Sequence, residues 1–152
     1  MSAETKVDPP PKILIAEDDP QSAELLEVYL ADMEYEVRIA RDGEEALTFA
    51  MEWIPDLLLL DVMMPKISGF EVCERLKEEP QTRGVAILMV TALDQASDID
   101  RAVAAGTDDF LSKPINKTEL LLRVRSMLKS RLVQRELDRA LAYIKEVEQG
   151  TS

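Results

Sequence analysis

Histidine is absent from the 152 residues. That excludes histidine-based nucleophilic triads and removes the nitrogen ligand of most zinc sites. The chain is therefore neither a phosphohistidine carrier nor a histidine kinase. Cys73 is the single cysteine, so no internal disulfide can form, which suits a reducing cytoplasm. It lies in a helical apolar pattern and reads as a small core residue. Neither common Gly-rich phosphate loop is present. No apolar run approaches the ~20 residues that span a bilayer. Met1 to Pro11 has no apolar stretch and does not read as a signal peptide. Positive charge is also scarce: 18 Lys and Arg stand against 30 Asp and Glu, a net charge of −12. Residues 115–152 carry 8 basic and 5 acidic side chains (+3), which leaves 10 and 25 (−15) for residues 1–114. An acidic body argues against direct binding of nucleic acid.

What is present is a regular alternation. A polar leader, residues 1–11, ends in Pro9-Pro10-Pro11 and reads as disordered or extended. Ile13–Ala16 is a short apolar strand. Asp19-Pro20 starts a helix to about Ala31, with proline at its first position. Glu36–Ala40 is a strand, and Asp42-Gly43-Glu44-Glu45 is a capping box opening a helix to Trp53. The four-leucine run Leu57–Leu60 delivers Asp61 to a strand end; continuous apolar runs mark strands buried on both faces. Ser68-Gly69-Phe70-Glu71 caps a helix to about Glu78. Val85–Thr91 is a strand, a helix from Ser97 to Ala105 stops at Gly106, and Phe110–Ser112 is a last strand. Asn116-Lys117-Thr118-Glu119 caps the final helix. The fold class is thus α/β, a (βα)₅ doubly wound, parallel five-stranded sheet of flavodoxin type with an extended C-terminal helix.

The C-terminal strand ends gather chemistry. Glu17, Asp18 and Asp19 follow the first strand, Asp61 ends the third, Thr91 the fourth, and Lys113-Pro114 follows the fifth. In open parallel sheets this edge is where ligands bind. Converging carboxylates repel unless a cation neutralises them, and a hard, oxygen-liganded ion such as Mg²⁺ (or Mn²⁺) is the natural solution. A carboxylate nucleophile, a divalent metal, a lysine and a hydroxyl make an acyl-phosphate site. Asp19 reads as the N-cap of the first helix rather than as a metal ligand.

These residues resemble the receiver domain of two-component response regulators over about Lys12 to Met127. The resemblance rests on Ile13-Leu14-Ile15-Ala16-Glu17-Asp18-Asp19, Leu60-Asp61-Val62-Met63-Met64-Pro65, Gly69, Val90-Thr91-Ala92 and Lys113-Pro114. The intervals, 43 residues from Asp18 to Asp61, 30 to Thr91 and 22 to Lys113, fit as well. The resemblance implies that Asp61 accepts a phosphoryl group from a sensor histidine kinase or phosphotransfer protein. It implies that Glu17, Asp18, Asp61 and the Met63 carbonyl hold Mg²⁺, and that Thr91 and Lys113 bind phosphoryl oxygens. Phe110 falls at the family's switch aromatic, although a core aromatic is its plain competitor, and the Lys113–Pro114 bond is expected to be cis. Met63 and Leu93 are apolar where some relatives carry polar groups that orient the hydrolytic water, so a long-lived phosphorylated state is expected. The implied protein is a switch rather than an enzyme.

Residues 128–152 continue the helical pattern. Val133, Leu137, Ala140, Ile144 and Val147 recur at spacings of 4, 3, 4 and 3, a coiled-coil-like seam. One helix from Lys117 to about Glu148 would be ~48 Å long, and its far half would need a partner. The reading is a homodimer through this extension or a stalk to a downstream output domain, with a tail folded back on its own body as the alternative. Leu122 to Leu128 resembles the end of receivers that precede diguanylate cyclase or similar output domains. Two other functions compete: a phosphorylation-independent adaptor on the same fold, and a phosphatase of the haloacid dehalogenase type. The second needs an aspartate where Met63 stands.

Overall fold

The computed structural model describes residues 9–92 and 96–150. Ten elements alternate: β1 (Lys12–Ala16), α1 (Pro20–Leu30), β2 (Glu36–Ala40), α2 (Gly43–Trp53), β3 (Leu57–Leu60), α3 (Gly69–Glu78), β4 (Ala86–Thr91), α4 (Ala96–Ala105), β5 (Asp109–Ser112) and α5 (Lys117–Gly150). All strand pairs are parallel, and the order is β2-β1-β3-β4-β5. The expected α/β class and extended last helix are what is observed.

Alternation along the strands builds two apolar layers. Leu14, Leu58, Leu60, Ile87 and Met89 face α2, α3 and α4, meeting Ala46, Cys73, Leu76 and Ala102. Ile13, Ile15, Leu57, Leu59 and Val90 face α1 and α5, meeting Leu26, Leu30, Leu120 and Val124. The central strands are buried on both faces, which is why Leu57–Leu60 needs no polar alternation.

The helix starts follow their caps. The Asp19 carboxylate accepts from the Gln21 and Ser22 N–H groups and from the Ser22 hydroxyl, so Asp19 is the N-cap. Asp42 accepts from Glu45 N–H at 2.8 Å, while Glu45 reaches back to Arg41 N–H rather than to the cap's own. Ser68 accepts from Glu71 N–H, but the Glu71 carboxylate turns to Arg75 instead of completing its box. Gly106 ends α4 at φ +95, a conformation that costs other L residues about 1 kcal/mol or more.

α5 is 34 residues long, about 51 Å. Its first turns are buried through Leu120 and Val124. Farther along, Arg131 and Arg135 both reach Asp56 at 3.3 Å, and Arg131 also donates to the Gly84 carbonyl. Asp56 precedes β3 and Gly84 lies two residues before β4, so α5 is pinned to the N-terminal edge of the sheet. Beyond Arg135 its apolar residues, among them Leu137, Leu141, Ile144 and Val147, are exposed.

Candidate functional site

The strand order places the switch point between β1 and β3, because the chain leaves β1 for β2 on one side and β3 on the other. Crevices at the C-terminal ends of such strands are where this architecture binds ligands. Glu17 and Asp61 stand on either side of it. Backbone pairing carries on one residue past each strand: Glu17 N–H donates to Ala40 O and Asp61 N–H to Ala16 O, both at 3.0 Å. Those bonds fix both side chains at the sheet edge.

The pocket is built from four of the residues singled out above. Glu17 (1% exposed) and Asp61 (6%) are buried, while Asp18 is exposed. One carboxylate oxygen from each of the three lies within 4.8 Å of the other two. Lys113 Nζ donates to Glu17 Oε1 at 2.7 Å and to Asp61 Oδ2 at 3.0 Å. The other Asp61 oxygen, Oδ1, accepts from Met63 N–H at 3.1 Å. Asp19 N–H donates to Glu17 Oε2 at 3.1 Å. Asp19 itself turns away to cap α1.

Burial pushes the Glu17 carboxyl up to about 7, against hydrogen bonds from Lys113 and the Asp19 N–H and with help from neighbouring Asp61. Burial works against the Lys113 charge, but Glu17 and Asp61 outweigh it and hold its pKa above the ordinary lysine value. The cluster thus carries more negative charge than one ammonium balances. Three carboxylates at this spacing form a hard-oxygen donor set that fits Mg²⁺.

Thr91 is the last residue of β4 and is buried (1% exposed); its carbonyl accepts from Lys113 N–H at 2.9 Å. Phe110 pairs with Met89 in the sheet register and is half-buried against the layer of α2, α3 and α4. Since residues two apart share a strand face, Thr91 and Phe110 lie on the same side of the sheet. Met63 is 74% exposed. The Lys113–Pro114 peptide is cis. Leu93 lies outside the described residues.

Of the residues that secure the loop after Asp61, Gly69 stood out only as part of the family pattern, and Gly43 and Lys66 were not legible as site residues. A Cβ on Gly69 would come within 2.4 Å of the Asp61 carbonyl oxygen, so the start of α3 packs directly on the backbone of Asp61. A Cβ on Gly43 would meet the Ile67 carbonyl oxygen at 2.1 Å, and Lys66 (φ 72) pairs with Asp42 and Glu44 at 3.4 Å. The sequence signals only that Gly43 follows a cap; the close approach is a tertiary fact.

A parallel doubly wound sheet with an acidic cluster and an opposing lysine at its switch point defines a receiver-type α/β domain. The chain belongs to the response regulator receiver domain family, whose pattern it matches over residues 13–125. It is 44% identical over 126 residues to the response regulator PleD of Caulobacter vibrioides, covering 83% of this chain and 28% of that protein. It is 41% identical over 119 residues to RpaA, a DNA-binding transcriptional regulator of Synechocystis, covering 78% of this chain and 49% of that one. The chain therefore spans about a quarter to a half of the length of these relatives. Among solved structures it resembles the receiver domain of a sensor histidine kinase from Pseudomonas aeruginosa with magnesium in its active-site cleft. That likeness has a TM-score of 0.74 and 27% identity, and covers 79% of this chain and 98% of that one. Receiver domains bind Mg²⁺ in an acidic cluster and act as switches, communicating with histidine kinases and output domains.

Proposed function

We propose that Asp61 is the phosphoacceptor of this receiver and that its phosphorylation governs assembly through α5. The single observation that carries this is the contact of Lys113 Nζ with both Glu17 and Asp61 across the switch point. A carboxylate oxygen of Asp61 forms a P–O bond as the donor's P–N bond breaks. The electron pair leaves with the imidazole nitrogen of the partner's phosphohistidine, and no proton has to leave the nucleophile. Lys113 is then free to turn from the carboxylates to a phosphoryl oxygen, and the Thr91 hydroxyl donates to another. Glu17, Asp18, Asp61 and the Met63 carbonyl would hold Mg²⁺ or Mn²⁺, which would supply charge neutralisation at the phosphoryl group. The Pseudomonas aeruginosa receiver domain with magnesium in its active-site cleft supports that reading.

On this reading Thr91 moves toward the phosphate and Phe110, on the same sheet face, follows it. The surface of α4, β5 and α5 changes, and α5 leads into the extension. Val133, Leu137, Ala140, Ile144 and Val147 then form a two-stranded seam between two copies, or a stalk to an output domain, in a cytoplasmic protein. The exposure of that seam beyond Arg135 supports the need for a partner. Neither direct nucleic-acid binding nor membrane binding belongs to this reading; among the described residues no helix is long and apolar enough to cross a membrane.

Light scattering with and without Mg²⁺ plus beryllofluoride, on wild type and Asp61→Asn, tests the proposal. A monomer-to-dimer shift in wild type alone is expected; unchanged mass in every condition refutes the dimer readout. Failure of wild type to gain one phosphoryl mass from a phosphorylated kinase refutes the acceptor itself. Since Met63 and Leu93 are apolar where some relatives carry polar groups, label is expected to outlast donor removal by minutes. Loss within seconds refutes that point.

A further inference from the structure

At the opposite edge of the sheet from Asp61, a cavity of about 590 Å³ opens between Pro9–Pro11, the N-terminal edge of the strands and α5. Six cationic side chains line it, Lys12, Arg125, Lys129, Arg131, Arg135 and Arg139, against one carboxylate, Asp56. This concentration stands out in a chain of net charge −12. Asp56 is already shared between Arg131 and Arg135. Lys12 Nζ is committed to the Trp53 carbonyl at 3.2 Å. Lys129 and Arg139 make no hydrogen bond or ion pair among the described residues. The Arg131 side chain is only 13% exposed, so it is held in place rather than waving in solvent. Apolar walls come from Tyr35, Ile54, Leu128 and Leu132.

We propose that this cavity binds a small organic polyphosphate of the nucleotide class. Its volume falls in the range of small-ligand pockets, about 300–1,000 Å³, whereas a purely electrostatic protein contact needs no concavity. Arginines at 131, 135 and 139 repeat every fourth residue and so share one face of α5. Their planar guanidinium groups match phosphate oxygens in pairs. The tyrosine and leucine walls suit a flat ring. A bound phosphate would compete with Asp56 for Arg131 and Arg135, the contacts that pin α5 to the sheet edge, so occupancy would loosen or redirect the extension. This site is independent of phosphorylation at Asp61.

The test is calorimetric titration of the full chain, in chelator and at physiological salt, with ATP and separately with inorganic tripolyphosphate. The expected result is one-to-one ATP binding, tighter than tripolyphosphate, and weakened about fivefold or more by Lys129→Gln with Arg139→Gln. Those two residues lie outside both the Asp61 pocket and the Asp56 contacts. Equal binding of the two probes overturns the nucleotide class. No saturable binding by about 1 mM, or binding indifferent to the double substitution, overturns the site. A ligand-free change of mass in light scattering on that substitution also overturns it, since the cations would then be meeting the acidic body of a second copy.

Discussion

Replacing Lys113 with methionine should move stability and metal affinity in opposite directions. Lys113 Nζ lies 2.7 Å from Glu17 and 3.0 Å from Asp61. At ~3 Å each such pair is worth roughly 5 kcal/mol of gross attraction at an effective dielectric near 20. The net loss is far smaller. The ammonium is 28% exposed, and Glu17 can take up a proton because its pKa already stands at about 7. Protonation caps the penalty of the orphaned charge, so the expected loss is about 1–3 kcal/mol rather than the ~3–5 kcal/mol of a fully buried broken pair. Mg²⁺ should bind Lys113→Met more tightly than wild type, because the ion no longer meets a resident cation. At about a hundred times its Kd, Mg²⁺ adds roughly 2.7 kcal/mol to either protein and recovers the loss. On the proposed function, phosphoryl transfer to Asp61 should nevertheless fall by about 10²-fold, since the charge assigned there to the phosphoryl oxygens is gone. Urea unfolding at pH 7 in chelator and in Mg²⁺, with a calorimetric Mg²⁺ titration, reads both effects. A metal-free variant as stable as wild type, or one with weakened Mg²⁺ binding, would refute the electrostatic balance described for this pocket.

Other consequences can be checked directly. The folded protein holds a proton on Glu17 that the unfolded chain releases near 4.5, so metal-free stability should fall as pH rises from about 4.5 to about 7. Mg²⁺ affinity should rise over the same window as that proton leaves, then level off; a flat calorimetric profile contradicts the placement of Glu17. Gly69→Ala gains at most about 1 kcal/mol of helix propensity but drives a Cβ to 2.4 Å from the Asp61 carbonyl. Since backbone cannot yield cheaply, a net loss of about 1–3 kcal/mol and weaker Mg²⁺ binding are expected in denaturant and metal titrations. Arg131→Ala removes the contacts with Asp56 and Gly84; it should cost about 1–3 kcal/mol and speed amide exchange from about residue 128 onward. Unchanged exchange there would mean that α5 is held by its apolar turns alone.

The α/β class, the order of elements and the site edge were legible in the sequence for local reasons. Leu57–Leu60, a short apolar run between Pro55 and Asp61, reads as a strand buried on both faces, and it is one. Asp19, Asp42, Ser68 and Asn116 each accept from the backbone N–H three residues on, because capping is settled within one turn. Strand ends moved by a residue: Asp61 lies just past β3 and Val85 just before β4, since bonding to neighbouring strands, not propensity, sets where a strand stops. Glu17, Asp61 and Lys113 were grouped because strand-end residues of a parallel sheet share one edge.

Tertiary structure decided what no local pattern encodes. Nothing local singles out Asp56, yet it receives the Lys12 backbone N–H, Arg131 and Arg135. Gly43 and Gly69 looked like helix-start residues, yet each lets a distant backbone pass where a methyl group would not fit. The tail pattern predicted a helix but not where it leaves the body; that point is set by two arginines whose partners lie 75 and 79 residues away in the chain. By itself the sequence determined the periodicities, the caps and the carboxylates at strand ends, all of which act over a few residues. Only the folded chain decided that Lys113 would bridge Glu17 and Asp61, and that a cationic cavity would form at the other edge, because both depend on side chains that the sheet order alone brings within reach.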